Sequence, residues 1–204
     1  MGYMWAVNFD EENTVKIKET LELTTYFIAS EIANYQLLQK LKVMSSVDML
    51  TGVKNRNAMN NKISDITEGK TKVRYPFSVV FTDLNGLKLI NDESGHNEGD
   101  NLLKKAAHIL SGVFFDASVY RTGGDEFYVF AADYSQEKLE RFTSDLETQL
   151  EKYNAGINRP YKVELSWGSC LAETDSNGDI DSFLRISDER MYEQKMAKPN
   201  RRTR

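Results

Sequence analysis

The chain has 204 residues, of which 40% are hydrophobic, and this is enough apolar material for one full domain with additional elements. Its net charge of −5 disfavours a protein that coats nucleic acid, and its single cysteine, Cys170, excludes internal disulfides and is typical of a reducing compartment. No apolar run has the length of a membrane span and no signal peptide opens the chain, so we expect no membrane contact and a cytoplasmic location.

The first 45 residues have a simple pattern. Residues 3–9 predict a short strand without an obvious partner nearby, and residues 13–45 predict one long helix because they contain neither Gly nor Pro. Apolar residues recur along this helix at spacings of three, four or seven, which is typical of a helix that packs on its own domain or pairs with another helix. Thr24 and Glu31 interrupt the heptads, so both arrangements remain open.

An alternation of helical and strand patterns follows Ser45 and Ser46. The hydrophobic periodicity predicts helices at 55–67, 86–92, 99–113, 135–153 and 180–198, and strands at 77–83, 117–121, 126–132 and 161–172. Two of the strands form a hairpin, and the others are separated by helices. This order predicts an α/β (α+β) fold in which a mixed central sheet is flanked by helices.

The hairpin turn carries two glycines and two acids in the stretch YRTGGDEFYVF, residues 120–130. Two glycines between strands are by themselves a signal of a tight turn, because glycine accepts positive φ, and Asp125 and Glu126 would then be solvated acids. A third acid, Asp83, ends the strand 77–83, where open α/β sheets usually bind ligands. If the hairpin lies beside this strand, the three carboxylates converge and their repulsion requires a cation.

Carboxylate oxygens without His or Cys favour Mg²⁺ or Mn²⁺ as that cation. A Mg²⁺ ion held by few carboxylates completes its shell with water and substrate phosphates. Gly123 and Gly124 gain a second role on this interpretation, since a backbone without side chains lets a phosphate or sugar approach closely. The stretch therefore predicts a metal-dependent site for a phosphorylated ligand.

A polar segment at residues 83–100 offers groups that can read a purine base. Asn91 can donate and accept hydrogen bonds in one plane, and Asp100 can accept the two N–H bonds that guanine N1 and N2 present. The alternative is structural: Asn91 ends a short helix, and Asp100 places charge in the first turn of the next one. His96 is expected to have a structural role in its turn.

Five motifs, in order, resemble the GGDEF domain of the diguanylate cyclase family. They are DMLTGVKNR (48–56), DLNGLKLINDESGHNEGD (83–100), RTGGDEF (121–127), VELSWGSC (163–170) and SDERMYEQK (187–195). The resemblance runs from Asp48 to about Asn200, and RTGGDEF contains the signature pentapeptide unchanged. Five motifs at the expected spacing are far more specific than the pentapeptide alone.

This resemblance implies a fold similar to class III nucleotidyl cyclases and the polymerase palm. It also implies that two GTP molecules are condensed into cyclic di-GMP with release of two pyrophosphates. Each domain would hold one GTP, so a homodimer would be needed, in which the 3′-hydroxyl of one GTP attacks the α-phosphorus of the other. Two Mg²⁺ or Mn²⁺ ions per active site would assist this phosphoryl-type transfer.

The resemblance also implies roles for individual residues. The metal ligands would be the side chains of Asp83, Asp125 and Glu126 and the carbonyl of Leu84. Asp125 would help to activate the 3′-hydroxyl, and the choice between Asp125 and Glu126 as the base stays open. The substrate-binding residues would be Asn91 and Asp100 for guanine, Lys88 and Lys195 for the β- and γ-phosphates, and Gly123 and Gly124 for space beside the nucleotide. Arg56 is interpreted as structural, pairing with an acid of the domain.

Two departures from the family pattern affect these expectations. The product-inhibition motif R-x-x-D corresponds here to FFDA at residues 114–117, so we predict no product inhibition of the usual kind. The closing K-x-x-G-R-N corresponds to KMAKPN at 195–200, which places Pro199 where a phosphate-binding arginine is often found. Either the triphosphate is bound more weakly or a neighbouring basic residue compensates, the candidates being Lys198, Arg201 and Arg202.

The amino-terminal part, GYMWAVNFD followed by the long helix, resembles the last strand and helix of a GAF sensor domain. The expected organisation is therefore a strand remnant at 1–12, a signalling helix at 13–45 and a GGDEF domain at 46–204, with an upstream sensor missing. The leading hypothesis is an active, Mg²⁺-dependent diguanylate cyclase. The alternative is a catalytically silent GGDEF module that binds GTP and regulates a partner.

Overall fold

The computed structural model describes residues 14–156, 161–174 and 179–197. The chain forms two compact units, with the division between Met44 and Ser45. The strand predicted at 3–9 lies outside the described residues. No helix within the described ranges is both long enough and apolar enough to span a membrane.

The first unit contains α1, Thr14–Met44, a 31-residue helix that confirms the predicted long amino-terminal helix. Thr24, which interrupts the heptads, donates its hydroxyl to the Thr20 carbonyl at 2.6 Å, so its polar group is satisfied within the helix. Large apolar side chains along α1 are exposed, among them Leu23, Tyr26, Phe27, Ile28, Ile32, Tyr35, Leu38 and Leu41. So much exposed apolar surface favours association with another surface.

The second unit contains five further helices and five strands within the described residues. In chain order they are β1 Lys54–Asn55, α2 Arg56–Thr67, β2 Phe77–Leu84, α3 Leu87–Ser94, α4 His96–Val113, β3 Ser118–Arg121, β4 Glu126–Ala132, α5 Gln136–Ala155, β5 Leu165–Ala172 and α6 Ile180–Ala197. These elements follow the predicted alternation of helices and strands closely.

The largest differences from the sequence prediction are two boundaries and one additional strand, and each has a local reason. Helix α4 begins three residues earlier than predicted, because Gly95, with a φ of 87°, separates it directly from α3. Strand β5 begins four residues later than predicted, because Val163 bonds through its N–H and carbonyl to the side chain of Asn154, both at 2.9 Å. Strand β1 has only two residues, too few for any periodicity, and it forms by parallel pairing with β3.

The strand β2 lies inside a five-stranded sheet with the order β1-β3-β4-β2-β5. It pairs antiparallel with β4 on one side and β5 on the other, and all eight of its residues are buried. β3 pairs antiparallel with β4, whereas β1 and β3 are parallel. The sheet is therefore mixed, which confirms the predicted fold class.

Helices cover both faces of this sheet. Val80 and Leu84 of β2 pack in a core cluster with residues of α4 and α5, whereas Phe77 and Val79 pack in a second cluster with residues of α2 and α6. Successive side chains of a strand point to opposite faces, so Asp83 lies on the face that α2 and α6 cover. The fold thus places the last acid of β2 beneath a helix rather than in open solvent.

Close backbone contact holds α6 on β5. A Cβ atom added at Gly168 would overlap the Met191 nitrogen and the Ser187 carbonyl oxygen of α6. On either side of this glycine, Arg190 donates to the Ser169 carbonyl at 2.6 Å, and Gln194 accepts from the Trp167 N–H at 2.7 Å. The position of α6, and of any side chain near its carboxyl end, is therefore set by β5.

We predict that Gly168→Ala lowers the free energy of unfolding by about 1–3 kcal/mol, because α6 must move away from the strand to admit one methyl group. Urea denaturation followed by circular dichroism measures this loss. Gly112→Ala is the matched control, since no heavy atom of the described residues lies within 4 Å of the added Cβ, and its stability should equal or exceed that of the wild type. A Gly168→Ala variant as stable as the wild type would contradict the close contact between α6 and β5 at this glycine.

Candidate active site

Two neighbouring strand ends carry the acids that the sequence singles out. Asp83, in β2, lies directly opposite Glu126, the first residue of β4. The N–H of Leu84 donates to the carbonyl of Asp125 at 2.9 Å, which ties the end of β2 to the loop between β3 and β4. The structure therefore places all three predicted metal-binding acids at one edge of the sheet.

The electrostatics of this edge favour a cation. Burial raises the pKa of Asp83, and the neighbouring Asp125 adds to the rise, although Lys195 acts against it. Burial also raises the pKa of Glu126, and Asp125 and Asp83 raise it further. Carboxylates whose pKa values are raised by burial and mutual repulsion are stabilised in the ionised form by a nearby cation.

The side chains themselves do not converge on a single point. Among the described residues, no three His, Cys, Asp or Glu side chains are grouped closely enough to hold a metal ion. Asp83 instead accepts a hydrogen bond from Lys195 Nζ at 2.6 Å, so the lysine predicted to bind phosphate lies against the predicted metal ligand. The donor set still fits Mg²⁺ or Mn²⁺, because it consists only of oxygens and Asp83 has a second carboxylate oxygen.

The loop at 122–125 does not use its glycines in the way a tight turn would. Neither Gly123 nor Gly124 has a positive φ. At Gly124 an added Cβ would meet no heavy atom of the described structure within 4 Å, whereas at Gly123 it would overlap the carboxylate of Glu126. Gly124 therefore leaves an open surface, and Gly123 leaves room for the side chain of Glu126.

Arg121 fixes this loop to the DMLT motif near the beginning of the second unit. Its Nη2 donates to the Gly124 carbonyl at 2.8 Å, and its Nη1 donates to Asp48 Oδ1 at 3.0 Å. The same Asp48 oxygen accepts from the Thr51 N–H at 2.9 Å. Burial raises the pKa of Asp48, but the hydrogen bonds from Thr51 and the ion pair with Arg121 lower it more, so the pKa lies below its usual value.

Asn91 and Asp100, the predicted guanine-reading residues, lie on the consecutive helices α3 and α4. The Asn91 side chain packs against Gly99, the residue that immediately precedes Asp100. Its Oδ1 is buried and has no hydrogen-bond partner within the described part of the chain. Lys88, on α3, is exposed to solvent.

Two further charged residues, beyond the acids at the strand ends, act on the pKa of Glu126. Asp188, on α6, raises the pKa of Glu126, and burial together with Asp188 and Glu126 raises the pKa of Tyr128 to about 12. Arg56, at the start of α2, lowers the pKa of Glu126, and its predicted pairing with an acid stays a prediction. The available signal for Asp188 was its spacing of seven residues from Lys195, which places both on one side of α6.

Phe114, which stands where the family carries its product-binding arginine, is part of the core. Phe114 is 1% exposed and stacks on Phe142 with ring centroids 5.6 Å apart. Asp116 accepts from Lys138 Nζ at 2.7 Å and also from the hydroxyl of Tyr134. Pro199 and the residues predicted to compensate for it, which are Lys198, Arg201 and Arg202, lie outside the described residues.

Comparison with known families decides how these features are classified. Residues 45–201 match the family model described as "Diguanylate cyclase, GGDEF domain". The chain belongs to the GGDEF domain family. This confirms the resemblance that the five motifs carry, whereas the GAF-like amino-terminal part stays a prediction.

Curated relatives of the chain carry different activity names. The chain is 33% identical over 156 residues to cyclic di-GMP phosphodiesterase PdeR of Escherichia coli, covering 76% of this chain and 23% of that protein. It is 28% identical over 192 residues to diguanylate cyclase DgcP of the same organism, covering 90% of this chain and 56% of that protein. The chain thus spans less than two thirds of the length of either relative.

A solved structure supports the GGDEF fold. The coiled coil and GGDEF domain of DgcB from Caulobacter crescentus, in complex with c-di-GMP, superposes with a TM-score of 0.73 at 18% sequence identity. The match covers 89% of this chain and 97% of that one. At this identity the likeness establishes the fold alone, a long helix followed by a GGDEF domain.

We predict that Asp48→Asn lowers the free energy of unfolding at pH 7 by about 1–3 kcal/mol, because it removes a charged partner of the half-buried Arg121. A carboxylate whose pKa is lower in the folded protein contributes its full stabilisation at pH values above its unfolded pKa of 3.8. The loss of stability caused by Asp48→Asn should therefore shrink as the pH falls below about 4. Urea denaturation at several pH values measures both effects.

Asp133→Asn is the matched control for this prediction. It makes the same chemical change in the exposed ion pair of Asp133 with Arg74, for which about 0–1 kcal/mol is expected. Asparagine also tolerates the φ of 60° at this position. Equal losses of stability in the two variants would contradict a stabilising role for the ion pair between Arg121 and Asp48.

Proposed function

We propose that this GGDEF domain condenses two GTP molecules into cyclic di-GMP and two pyrophosphates. The observation that carries the proposal is the pairing of Asp83 with Glu126, beside Asp125 and the open backbone of Gly124. Family membership and the relative named as a diguanylate cyclase support it. A nucleotide lying along Gly124 would bring its phosphates next to three carboxylates whose charge needs a cation.

The acids would hold two Mg²⁺ or Mn²⁺ ions, through the side chains of Asp83, Asp125 and Glu126 and the carbonyl of Leu84. When bound, these ions neutralise the phosphates and lower the pKa of the attacking 3′-hydroxyl. Asp125 or Glu126 would accept the proton of that hydroxyl. Arg121 would keep the loop in place through the Gly124 carbonyl, so that these acids stay aligned with β2.

Two lysines would bind the triphosphate. Lys195 has three N–H donors, of which Asp83 accepts one, so the others remain for phosphate oxygens. Lys88 is exposed on α3 and would bind the terminal phosphates from the other side. Asn91 and Asp100 would read the guanine edge, as their donor and acceptor groups allow.

Catalysis would require two copies of the chain, because each domain holds one GTP. The exposed apolar side chains of α1 support a homodimer in which the two α1 helices associate. A sensor domain ahead of α1, of the GAF kind, would then control activity by changing the geometry of this helix pair. A cytoplasmic location accords with this function.

A catalytically silent module that binds GTP and regulates a partner is the second candidate. The relative named as a phosphodiesterase favours it, because membership of the family is compatible with more than one named activity. Pro199, in place of the usual arginine, favours it as well.

We predict that the full chain with GTP and Mg²⁺ forms cyclic di-GMP, and that Asp125→Ala and Glu126→Ala each reduce turnover on the order of 100-fold or more, because each removes charge stabilisation from the reacting phosphates. Products are separated by chromatography and identified by mass. Thermal unfolding should be little changed in both variants, since neither side chain is fully buried.

The control is Asp145→Ala, which removes an exposed carboxylate from α5 and should leave turnover unchanged. Product that appears only at high protein concentration would indicate that dimerisation limits the reaction. Absence of product at every concentration, with GTP still bound, would favour the silent module instead.

We also predict that added cyclic di-GMP at about 100 µM, a concentration that would fill a site of micromolar affinity, does not slow the initial rate of pyrophosphate release. Phe114 is buried where the family places the arginine of its product-binding motif, so no cation is presented there. A rate that falls by half or more at this concentration would disprove the prediction.

A further inference from the structure

Gly99 occupies a buried position in the first turn of α4, facing α3. A Cβ atom built on it would overlap Asn91 Oδ1, and would lie 2.9 Å from Asn91 Cγ and 3.1 Å from Leu87 Cδ1. Its backbone has no positive φ, so the conformation does not require glycine. Alanine would also be favoured here by helix propensity, so the space beside Gly99 is the feature that explains the residue.

The side-chain oxygen that fills this space is positioned by close packing. Asn91 Oδ1 is fully enclosed and lacks a hydrogen-bond partner among the described residues. Gly99 therefore forms one wall of the slot in which this oxygen lies, and Leu87 lies beside the same space. Because interiors are close-packed, one added methyl group in such a slot must displace the carboxamide or one of the two helices.

We propose that Gly99 is a positioning residue for base recognition. Its missing side chain creates the slot that holds the Asn91 carboxamide next to Asp100, so that both residues face the same edge of guanine. The inference rests on the proposed function, because it assumes that Asn91 and Asp100 bind the base. It assigns to Gly99 a part in the preference for guanine over adenine, although Gly99 has no side chain that could contact the base.

A purely structural role makes a different prediction. If Gly99 only allows α3 and α4 to approach each other, its replacement displaces Lys88 together with the base-reading residues, so binding of the adenine analogue should weaken as well. A positioning role instead changes the ratio of affinities for guanine and adenine nucleotides. Any effect on triphosphate binding is common to the two nucleotides and does not change this ratio.

The test measures equilibrium binding of the α,β-methylene analogues of GTP and ATP to the full chain with Mg²⁺, by calorimetry. These analogues keep the triphosphate charge and cannot release pyrophosphate. Gly99→Ala should weaken binding of the guanine analogue about tenfold, the factor that corresponds to one hydrogen bond, and leave the adenine analogue unchanged. Gly112→Ala, on the same helix with no described heavy atom near the added Cβ, should leave both affinities unchanged.

Two further variants keep the proposal falsifiable if Gly99→Ala is unstable. Asn91→Ala should lose the same guanine preference, and adding Gly99→Ala to it should cause no further loss, because the displaced group is already gone. The double variant should also melt at a higher temperature than Gly99→Ala alone, since the overlap with Oδ1 is relieved. Additive losses, or no recovery of the melting temperature, would overturn the positioning role.

Failure of this inference is distinguishable from failure of the proposed function. A wild-type chain that binds neither analogue would overturn the proposed function and the inference with it. A wild-type chain that prefers the guanine analogue, together with a Gly99→Ala variant of unchanged preference, would overturn the inference alone. An equal loss for both analogues would do the same.

Discussion

The antiparallel pairing of β2 with β4 is the interaction on which the site depends. It sets Asp83 opposite Glu126, while the burial of β2 on both faces keeps Asp83 largely out of water. Burying a carboxylate is unfavourable unless it is paired, and Lys195 provides that pairing from α6. The same strand thus supplies the centre of the core and an acid whose charge the surrounding groups must balance.

Helix α6 and the loop at 122–125 are each held by contacts that lie outside the acids themselves. Gly168 lets α6 touch the backbone of β5, which determines where Lys195 and Asp188 can reach. Arg121 donates hydrogen bonds to both the Gly124 carbonyl and Asp48, and so joins the loop to the DMLT motif. The geometry of the site therefore depends on one glycine in β5 and on the ion pair between Arg121 and Asp48, as well as on the acids themselves.

Periodicity alone predicted most of the fold, because helices and strands of this chain are long enough to show their repeats. It failed where one side chain or one glycine decides a boundary, as Asn154 does for β5 and Gly95 does for α4. The candidate acids were predictable from spacing and family resemblance. The contact between Asn91 and Gly99 was not, because it depends on how closely two helices pack.

The burial of Phe114 also limits how this protein can evolve. Feedback control through the family's motif would need an arginine at this position, but its charge would enter a stack with Phe142 that is closed to water. An unpaired charge in such a place is strongly unfavourable, so the intermediate would be selected against. An arginine at this position would therefore require the surrounding aromatic residues to change first.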